Sequence, residues 1–152
     1  MVFHFDNNKS MQIVFYVLPS NSDDQYYDFI LKFVQKSYNL ENKILIYSDQ
    51  DECQNLDQLL WFDHHDTFIP HAILDEVDSS FAKLPVALTY SDNIVAKAED
   101  FVLILQQSIP ETLPKCNRIV EIVDQDQTRV QFSRLRYKEY KAKGYDIKTH
   151  KM

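Results

Sequence analysis

Residues 11–18, Met-Gln-Ile-Val-Phe-Tyr-Val-Leu, are the stretch of sequence that decides the fold. Their continuous apolar run predicts a buried strand. Residues 19–24 follow as a turn whose acids are placed to cap a helix. Apolar residues then recur at helical spacing, so an amphipathic helix is predicted from about Asp23 to Tyr38.

The alternation of strand and helix continues along the chain. Residues 43–47 predict a second strand, and Ser48 and Asp49 supply an N-cap for a helix that reaches about Trp61. Residues 62–78 are predicted to be a loop. Further strands are predicted at residues 85–90, 101–105 and 118–123, the last of them followed by a helix from about Asp126 to Lys143 that stops at Gly144. This order predicts an α/β fold, a single domain with a mostly parallel sheet flanked by helices.

The length of 152 residues predicts one domain, which we place at residues 11–152. Residues 1–10 are polar and show no periodic pattern. They are either a flexible N-terminal extension or the result of a wrongly assigned translation start, and both interpretations stay open. Cys53 and Cys116 make no disulfide framework and fit a reducing compartment. Since we find no secretory signal and no apolar run near the ~20 residues that span a bilayer, we expect a cytoplasmic chain with no membrane partner.

Charge is distributed unevenly along the chain. The net charge is −7, yet residues 129–143 hold six basic residues and one acid, so this window carries +5 and the remainder −12. Arg134, Lys138 and Lys141 stand at i, i+4 and i+7 and share one helix face, with Tyr137 close to it. Such a face is either simply solvated or a docking surface. We favour a docking surface, because a helix that is merely soluble would mix charges of both signs.

Composition argues against catalytic and cofactor sites. Gly144 is the single glycine, and phosphate-binding loops need several, so a P-loop and a dinucleotide fingerprint are excluded. The histidine-rich cluster at residues 63–66, Asp-His-His-Asp, with His71 nearby, lacks the spacing of a zinc site. Cys53 and Cys116 are interpreted as small buried hydrophobes. We therefore expect no enzyme activity, no cofactor and no metal.

Three motifs in order make the chain resemble the chi subunit of the bacterial DNA polymerase III clamp-loader assembly. They are residues 56–61 (Leu-Asp-Gln-Leu-Leu-Trp), 67–71 (Thr-Phe-Ile-Pro-His) and 134–141 (Arg-Leu-Arg-Tyr-Lys-Glu-Tyr-Lys), and the resemblance covers nearly the whole chain after Met11. It implies an α/β fold similar to nucleotide-binding folds but without a phosphate-binding loop, and no catalysis. It also implies binding to the acidic C-terminal tail of single-stranded DNA-binding protein, which ends in Phe, a link to the clamp loader through the psi subunit, and only indirect contact with DNA.

The resemblance also implies which residues bind the tail. Arg134 resembles the arginine that grips the terminal carboxylate, and Lys138 and Tyr137 match neighbours on its helix. The apolar part of the site is implied at four further positions: Trp61, Phe68, Val123 and Phe132. Relatives can carry a lysine four residues before that arginine, where this chain has Val130, and the adjacent Arg129 is expected to take its place.

Two alternatives of other classes stay open at this point. The basic helix also suits a module that binds single-stranded nucleic acid directly, although the acidic remainder of the chain opposes a broad basic field. A small α/β enzyme would need a cleft with perturbed ionisable groups. Only the loop around His64 and His65 offers candidates for that role.

Overall fold

One parallel sheet forms the centre of the computed structural model, which describes residues 11–62, 68–78, 83–106 and 109–152. Within these ranges the strands are β1 (Gln12–Val17), β2 (Ile44–Tyr47), β3 (His71–Ile73), β4 (Val86–Thr89), β5 (Phe101–Ile104), β6 (Arg118–Val123) and β7 (Ile147–Lys151). Their order across the sheet is β3-β4-β2-β5-β6-β1-β7, and all six neighbouring pairs are parallel. The two edges of the sheet are therefore β3 and β7.

The helices of the described ranges are α1 (Asp23–Asn39), α2 (Gln50–Phe62), α3 (Asp92–Val95) and α4 (Gln127–Ala142), and a 3-10 turn at Leu74–Glu76 follows β3. The long helices begin and end at the residues that the sequence marks. At the start of α4 the Asp126 carboxylate accepts a hydrogen bond from the Arg129 amide at 3.0 Å, and Asp49 does the same for Glu52 of α2 at 2.8 Å. Gly144, with φ of 84°, occupies the C′ position of α4. None of these helices has both the length and the apolarity needed to cross a bilayer.

Alternate residues of β1 show which helices cover each face of the sheet. Val14 and Tyr16 belong to an apolar cluster with the inward sides of α1 and α2. Ile13 and Phe15 point the opposite way, as successive strand residues do, and belong to a second cluster with Tyr140 of α4. We call these the α1–α2 face and the α4 face. Leu60, near the end of α2, therefore lies on the other face of the sheet from Tyr137 and Tyr140 of α4. Near the starts of the two helices, in contrast, Glu52 and Arg129 line one crevice.

The predicted fold class is confirmed, and the five predicted strands and three long helices are present to within about one residue of their predicted bounds. Two expectations were wrong. Residues 62–78 are not all loop, because they include β3, and β6 is not the last strand, because β7 follows α4. Both missed strands are edge strands that lack a long apolar run: β3 has three residues, and Ile147 is the single apolar residue of β7. The interpretations of residues 1–10 and 63–66 concern positions outside the described ranges.

Candidate functional site

A buried ion pair fixes the rotation of α4 about its own axis. The Arg136 Nε group donates to both carboxylate oxygens of Glu121 at 2.9 Å, and the Tyr140 hydroxyl donates to the same carboxylate at 2.7 Å. Glu121 is fully buried on β6. Burial raises the pKa of its carboxyl group, and the Arg136 guanidinium and the Tyr140 hydroxyl oppose that rise. With Arg136 and Tyr140 held inward, the neighbouring positions Arg134 and Lys138 point into solvent.

The flank of α4 that faces β1 carries the exposed positive charge. Arg134 and Lys138 are exposed, and Lys141 lies on the same side of the helix, its ammonium group 5.8 Å from the Tyr137 ring centroid. Tyr137 itself is half-buried and packs edge-on against Phe15 of β1, with 5.5 Å between ring centroids. The predicted grouping of Arg134, Tyr137 and Lys138 on one side of the helix is therefore present.

Strand β7, which the sequence did not predict, extends this flank with further polar and basic groups. Its register pairs Phe15 with Thr149 and Val17 with Lys151. Parallel partners in adjacent strands share a face of the sheet, so Thr149 and Lys151 lie on the α4 face, beside Phe15. We define the basic surface as the region of α4 and β7 formed by Arg134, Tyr137, Lys138, Lys141, Thr149 and Lys151.

Val123 lies at the carboxyl end of β6, next to Val17 in the register. It is two residues from Glu121 and so points to the α4 face as well. Its side chain is 6% exposed, which makes it part of the floor beneath the start of α4 rather than an open contact. The expected role of Val123 as an apolar wall stays a prediction. Its register partner Val17 and, four residues before Arg134, Val130 are both half-buried.

Arg129 and Phe132 lie on the opposite flank of α4 from Arg134. Five residues of helix turn Arg129 about 140° away from Arg134, and two residues turn Phe132 by about 200°. Arg129 is bound to two carboxylates, with its guanidinium 2.9 Å from Asp124 and 2.8 Å from Asp23. The Arg129 guanidinium is thus already paired and lies away from Arg134, which disfavours the expectation that it replaces the lysine missing at position 130.

That second flank borders a small crevice of about 160 Å³ at the carboxyl ends of β2, β5 and β6. Crevices at this edge, where helices pass to opposite faces, are the usual ligand sites of open α/β sheets. Here the Arg129 guanidinium lies 3.9 Å from the Tyr26 ring centroid, and Asp49 and Glu52 line the entrance. Burial raises the pKa of Glu52. The crevice is lined by the two acids Asp49 and Glu52 and by the two arginines Arg129 and Arg136.

The end of α2 carries a second exposed feature, which we call the aromatic surface and define by Trp61, Phe62 and Phe68. These side chains are 50%, 84% and 40% exposed. Trp61 contacts Phe68, with 4.9 Å between ring centroids, and both lie against the imidazole of His71 on β3. His71 is buried and its Nδ1 lies 2.7 Å from the Ile69 carbonyl oxygen, so it supports the rings from below.

The structure does not bring the aromatic surface and the basic surface into one pocket, although the resemblance implied it. Trp61 rests on β3 and its neighbour Leu60 packs on the α1–α2 face, whereas Tyr137 packs on the α4 face. Strands β4, β2 and β5 lie between β3 and β6, which is about 19 Å at roughly 4.8 Å per strand. Trp61 and Phe68 are thus a separate site, and motif order along the chain could not reveal this separation.

The two cysteines, which were the remaining candidates for a reactive side chain, are buried. Burial raises the pKa of the Cys53 thiol to about 12 and that of Cys116 to about 11, so both thiols are protonated at neutral pH. Their interpretation as buried hydrophobes is confirmed. The residues that the structure describes include no group of three or more His, Cys, Asp or Glu side chains placed to hold a metal ion.

Comparison with known proteins gives the same family over almost the whole chain. The model of the family described as "DNA polymerase III chi subunit, HolC" matches residues 11–148. The DNA polymerase III subunit chi of Pseudomonas aeruginosa is 24% identical over 142 residues, which cover 93% of this chain and 96% of the relative. The corresponding subunit of Haemophilus influenzae is 25% identical over 137 residues, with 89% and 93% covered, and that of Escherichia coli is 25% identical over 101 residues, with 66% and 67% covered.

Proposed function

Because the chain belongs to the DNA polymerase III chi subunit family, we propose that it is a non-catalytic subunit of the replicative polymerase that connects two protein partners. One partner is the acidic C-terminal tail of single-stranded DNA-binding protein. The other is the psi subunit, which links the chain to the clamp loader. Contact with DNA is then indirect. The basic surface and the aromatic surface are the candidate docking sites for these two partners.

The distribution of unpaired charge along α4 is the observation that carries the tail-binding proposal. Arg129 is paired with the buried Asp124 carboxylate and with the exposed Asp23, and Arg136 is paired with the buried Glu121. Arg134 and Lys138 are exposed and have no acidic partner among the described residues. The free positive charge of the helix is therefore concentrated on the flank next to β7. An acidic peptide is attracted to this flank and repelled by the rest of the chain, which carries −12 outside residues 129–143.

A terminal Phe needs an apolar seat beside the cation that holds its carboxylate. Val130 and Tyr137 stand four residues before and three residues after Arg134 on α4, and Val17 points to the α4 face of the sheet. All three are half-buried. Burying a Phe side chain contributes about 1.5–3 kcal/mol, and a hydrogen bond from a charged group contributes about as much. After the cost of ordering the peptide, we expect a Kd near micromolar, or about −8 kcal/mol. Such an affinity suits a contact that forms and breaks during replication.

Replacing Arg134 with Ala tests the tail-binding proposal. Isothermal titration calorimetry with a synthetic peptide of acidic residues ending in Phe should give a Kd about tenfold to a hundredfold weaker for Arg134→Ala than for the unmodified chain, because one charge-assisted hydrogen bond is lost. Lys143→Ala is the matched control, since it removes the same charge from the opposite side of the helix. Removing the Phe from the peptide should abolish binding. Equal affinity for Arg134→Ala and Lys143→Ala would contradict the proposal.

The aromatic surface supports the second half of the proposal, docking of psi. Trp61, Phe62 and Phe68 are exposed, and the rings of Trp61 and Phe68 contact each other. Exposed aromatic groups of this kind anchor protein interfaces. The rings of Trp61 and Phe68 also lie against the buried imidazole of His71, so the site suits an apolar partner better than an acidic tail. Its location at the β3 edge leaves α4 and β7 free.

A double substitution, Trp61→Ala with Phe68→Ala, separates the two partners. Co-expression with psi and size-exclusion chromatography should show loss of the psi complex for this variant, while its titration with the acidic peptide should match that of the unmodified chain. Arg134→Ala should give the reverse pattern. Retention of the psi complex by the double variant, with its fold intact by circular dichroism, would exclude this surface.

Direct binding of single-stranded DNA is the competing function for the same basic surface. It would require affinity of the isolated chain for an oligonucleotide, with a steep dependence on salt. The net charge of −7 opposes it. Fluorescence anisotropy with a labelled oligonucleotide at low and high salt distinguishes the two functions, because the tail-binding proposal expects no binding at either salt concentration.

A further inference from the structure

The outer edge of β7 offers a row of backbone groups that pair with no described strand. The Met152 amide donates to the Val17 carbonyl of β1 at 2.8 Å, so the even-numbered residues 148, 150 and 152 direct their backbone groups toward β1. Backbone groups alternate in direction along a strand, so those of Ile147, Thr149 and Lys151 point away from the sheet. The strand is exposed along most of its length.

The charge around this edge selects the kind of strand that could pair with it. Lys148 and Lys151 are exposed on β7 itself. Lys151 points to the α4 face, where α4 carries the exposed Lys138 and Lys141, whereas Lys148 is the register partner of Val14 and points to the α1–α2 face. Lysines on an edge strand discourage pairing with a second copy of the same basic strand. The same positive charge favours an extended segment that carries Asp or Glu.

We propose that an extended acidic peptide pairs with the outer edge of β7 as an eighth strand of the sheet. Main-chain hydrogen bonds to Thr149 and Lys151 hold the peptide, and its alternate side chains lie beside the cations of α4. The inference rests on the proposed tail-binding function and deepens it. It assigns the acidic residues of the tail to β7, while Arg134 and Tyr137 hold the terminal Phe.

Substitution of Thr149 tests this pairing on the protein side. Thr149→Pro removes an outward N–H group, which an edge strand tolerates because the pairing with β1 uses the other residues. Thr149→Ala removes the same side chain and keeps the N–H group, so it is the matched control. We expect the acidic peptide to bind Thr149→Pro about threefold to tenfold more weakly than Thr149→Ala, because one backbone hydrogen bond is lost. Equal affinity would overturn the inference.

Two N-methylated peptides test the pairing without altering the protein. One carries N-methyl groups on the odd positions of the acidic segment and the other on the even positions, with equal charge and composition. A peptide in a strand pairs through alternate residues, so one of the two should bind at least tenfold more weakly than the other. Equal affinity of the two peptides, whether strong or weak, would overturn strand pairing.

These outcomes are separable from failure of the tail-binding function itself. Absence of peptide binding to the unmodified chain, or equal binding by Arg134→Ala, overturns the proposed function and the β7 inference with it. If Arg134→Ala weakens peptide binding as expected while the two Thr149 variants bind the peptide equally, the β7 inference alone is overturned. Hydrogen exchange of the free chain adds a check: the Thr149 and Lys151 amides should exchange fast without peptide and slowly with it. Slow exchange without peptide would mean that another segment or a second copy already pairs with this edge.

Discussion

At the scale of single residues, the orientation of the basic surface depends on an ion pair that is buried beneath it. Glu121 and Arg136 are both buried, and the Tyr140 hydroxyl completes their hydrogen bonding. A buried ion pair is weak grounds for stability as such, because removing two charges from water offsets much of their attraction. Its effect here is directional. It holds one side of α4 against β6, and so the neighbouring Arg134 and Lys138 have to face solvent.

Substitution of Glu121 should therefore destabilise the chain strongly. Glu121→Ala leaves the Arg136 guanidinium buried without its carboxylate, and breaking a buried pair in this way typically destabilises by about 3–5 kcal/mol. Urea denaturation measures this change. Glu139→Ala, which removes an exposed acid from the same helix, should change the free energy of unfolding by less than about 0.5 kcal/mol. A loss below about 1 kcal/mol for Glu121→Ala would show that α4 is held mainly by its apolar contacts.

At the scale of elements, the helices and strands that carry a continuous apolar pattern could be predicted from the sequence. The strand at residues 11–18 and the helix from Asp126 to Lys143 carry clear periodicity and end signals, and both are present. Strand β7 carries no such pattern, because an edge strand with one covered face needs few apolar residues. Its place in the sheet comes from pairing with β1. The signal available in the sequence was slight: Ile147 and Thr149, two β-branched residues at alternate positions after a helix that ends at glycine.

The candidate site was predictable in part for the same reason. Spacing of i, i+4 and i+7 correctly placed Arg134, Lys138 and Lys141 together, since it depends on one helix alone. It could not tell that Arg129 lies on the other flank, bound to Asp23 of α1, because that contact joins residues 106 positions apart. The same limit applies to Trp61 and Phe68. Their distance from α4 depends on the order of strands in the sheet, which local patterns do not contain.

At the scale of the whole molecule, the two candidate surfaces lie near opposite ends of the sheet. The aromatic surface lies at the β3 edge, and the basic surface lies over β1 and β7. This separation supports the proposed link between two partners, since it lets both partners bind at the same time. The uneven charge has a related consequence. The region outside residues 129–143 carries −12, so an acidic segment is attracted to the positive window at residues 129–143.

The separation of the surfaces predicts that the two partners bind without affecting each other. The affinity of the acidic peptide, measured by isothermal titration calorimetry, should agree within about twofold for the free chain and for its complex with psi. By thermodynamic reciprocity, saturating peptide should leave the affinity for psi equally unchanged. A triple variant that combines Arg134→Ala with Trp61→Ala and Phe68→Ala should show the sum of the separate losses, because distant sites without shared contacts act additively. A tenfold change in peptide affinity on addition of psi would require about 1.4 kcal/mol of coupling free energy between the two sites. Two rigid and separate surfaces do not provide this coupling. Such a change would therefore place the two partners on one site.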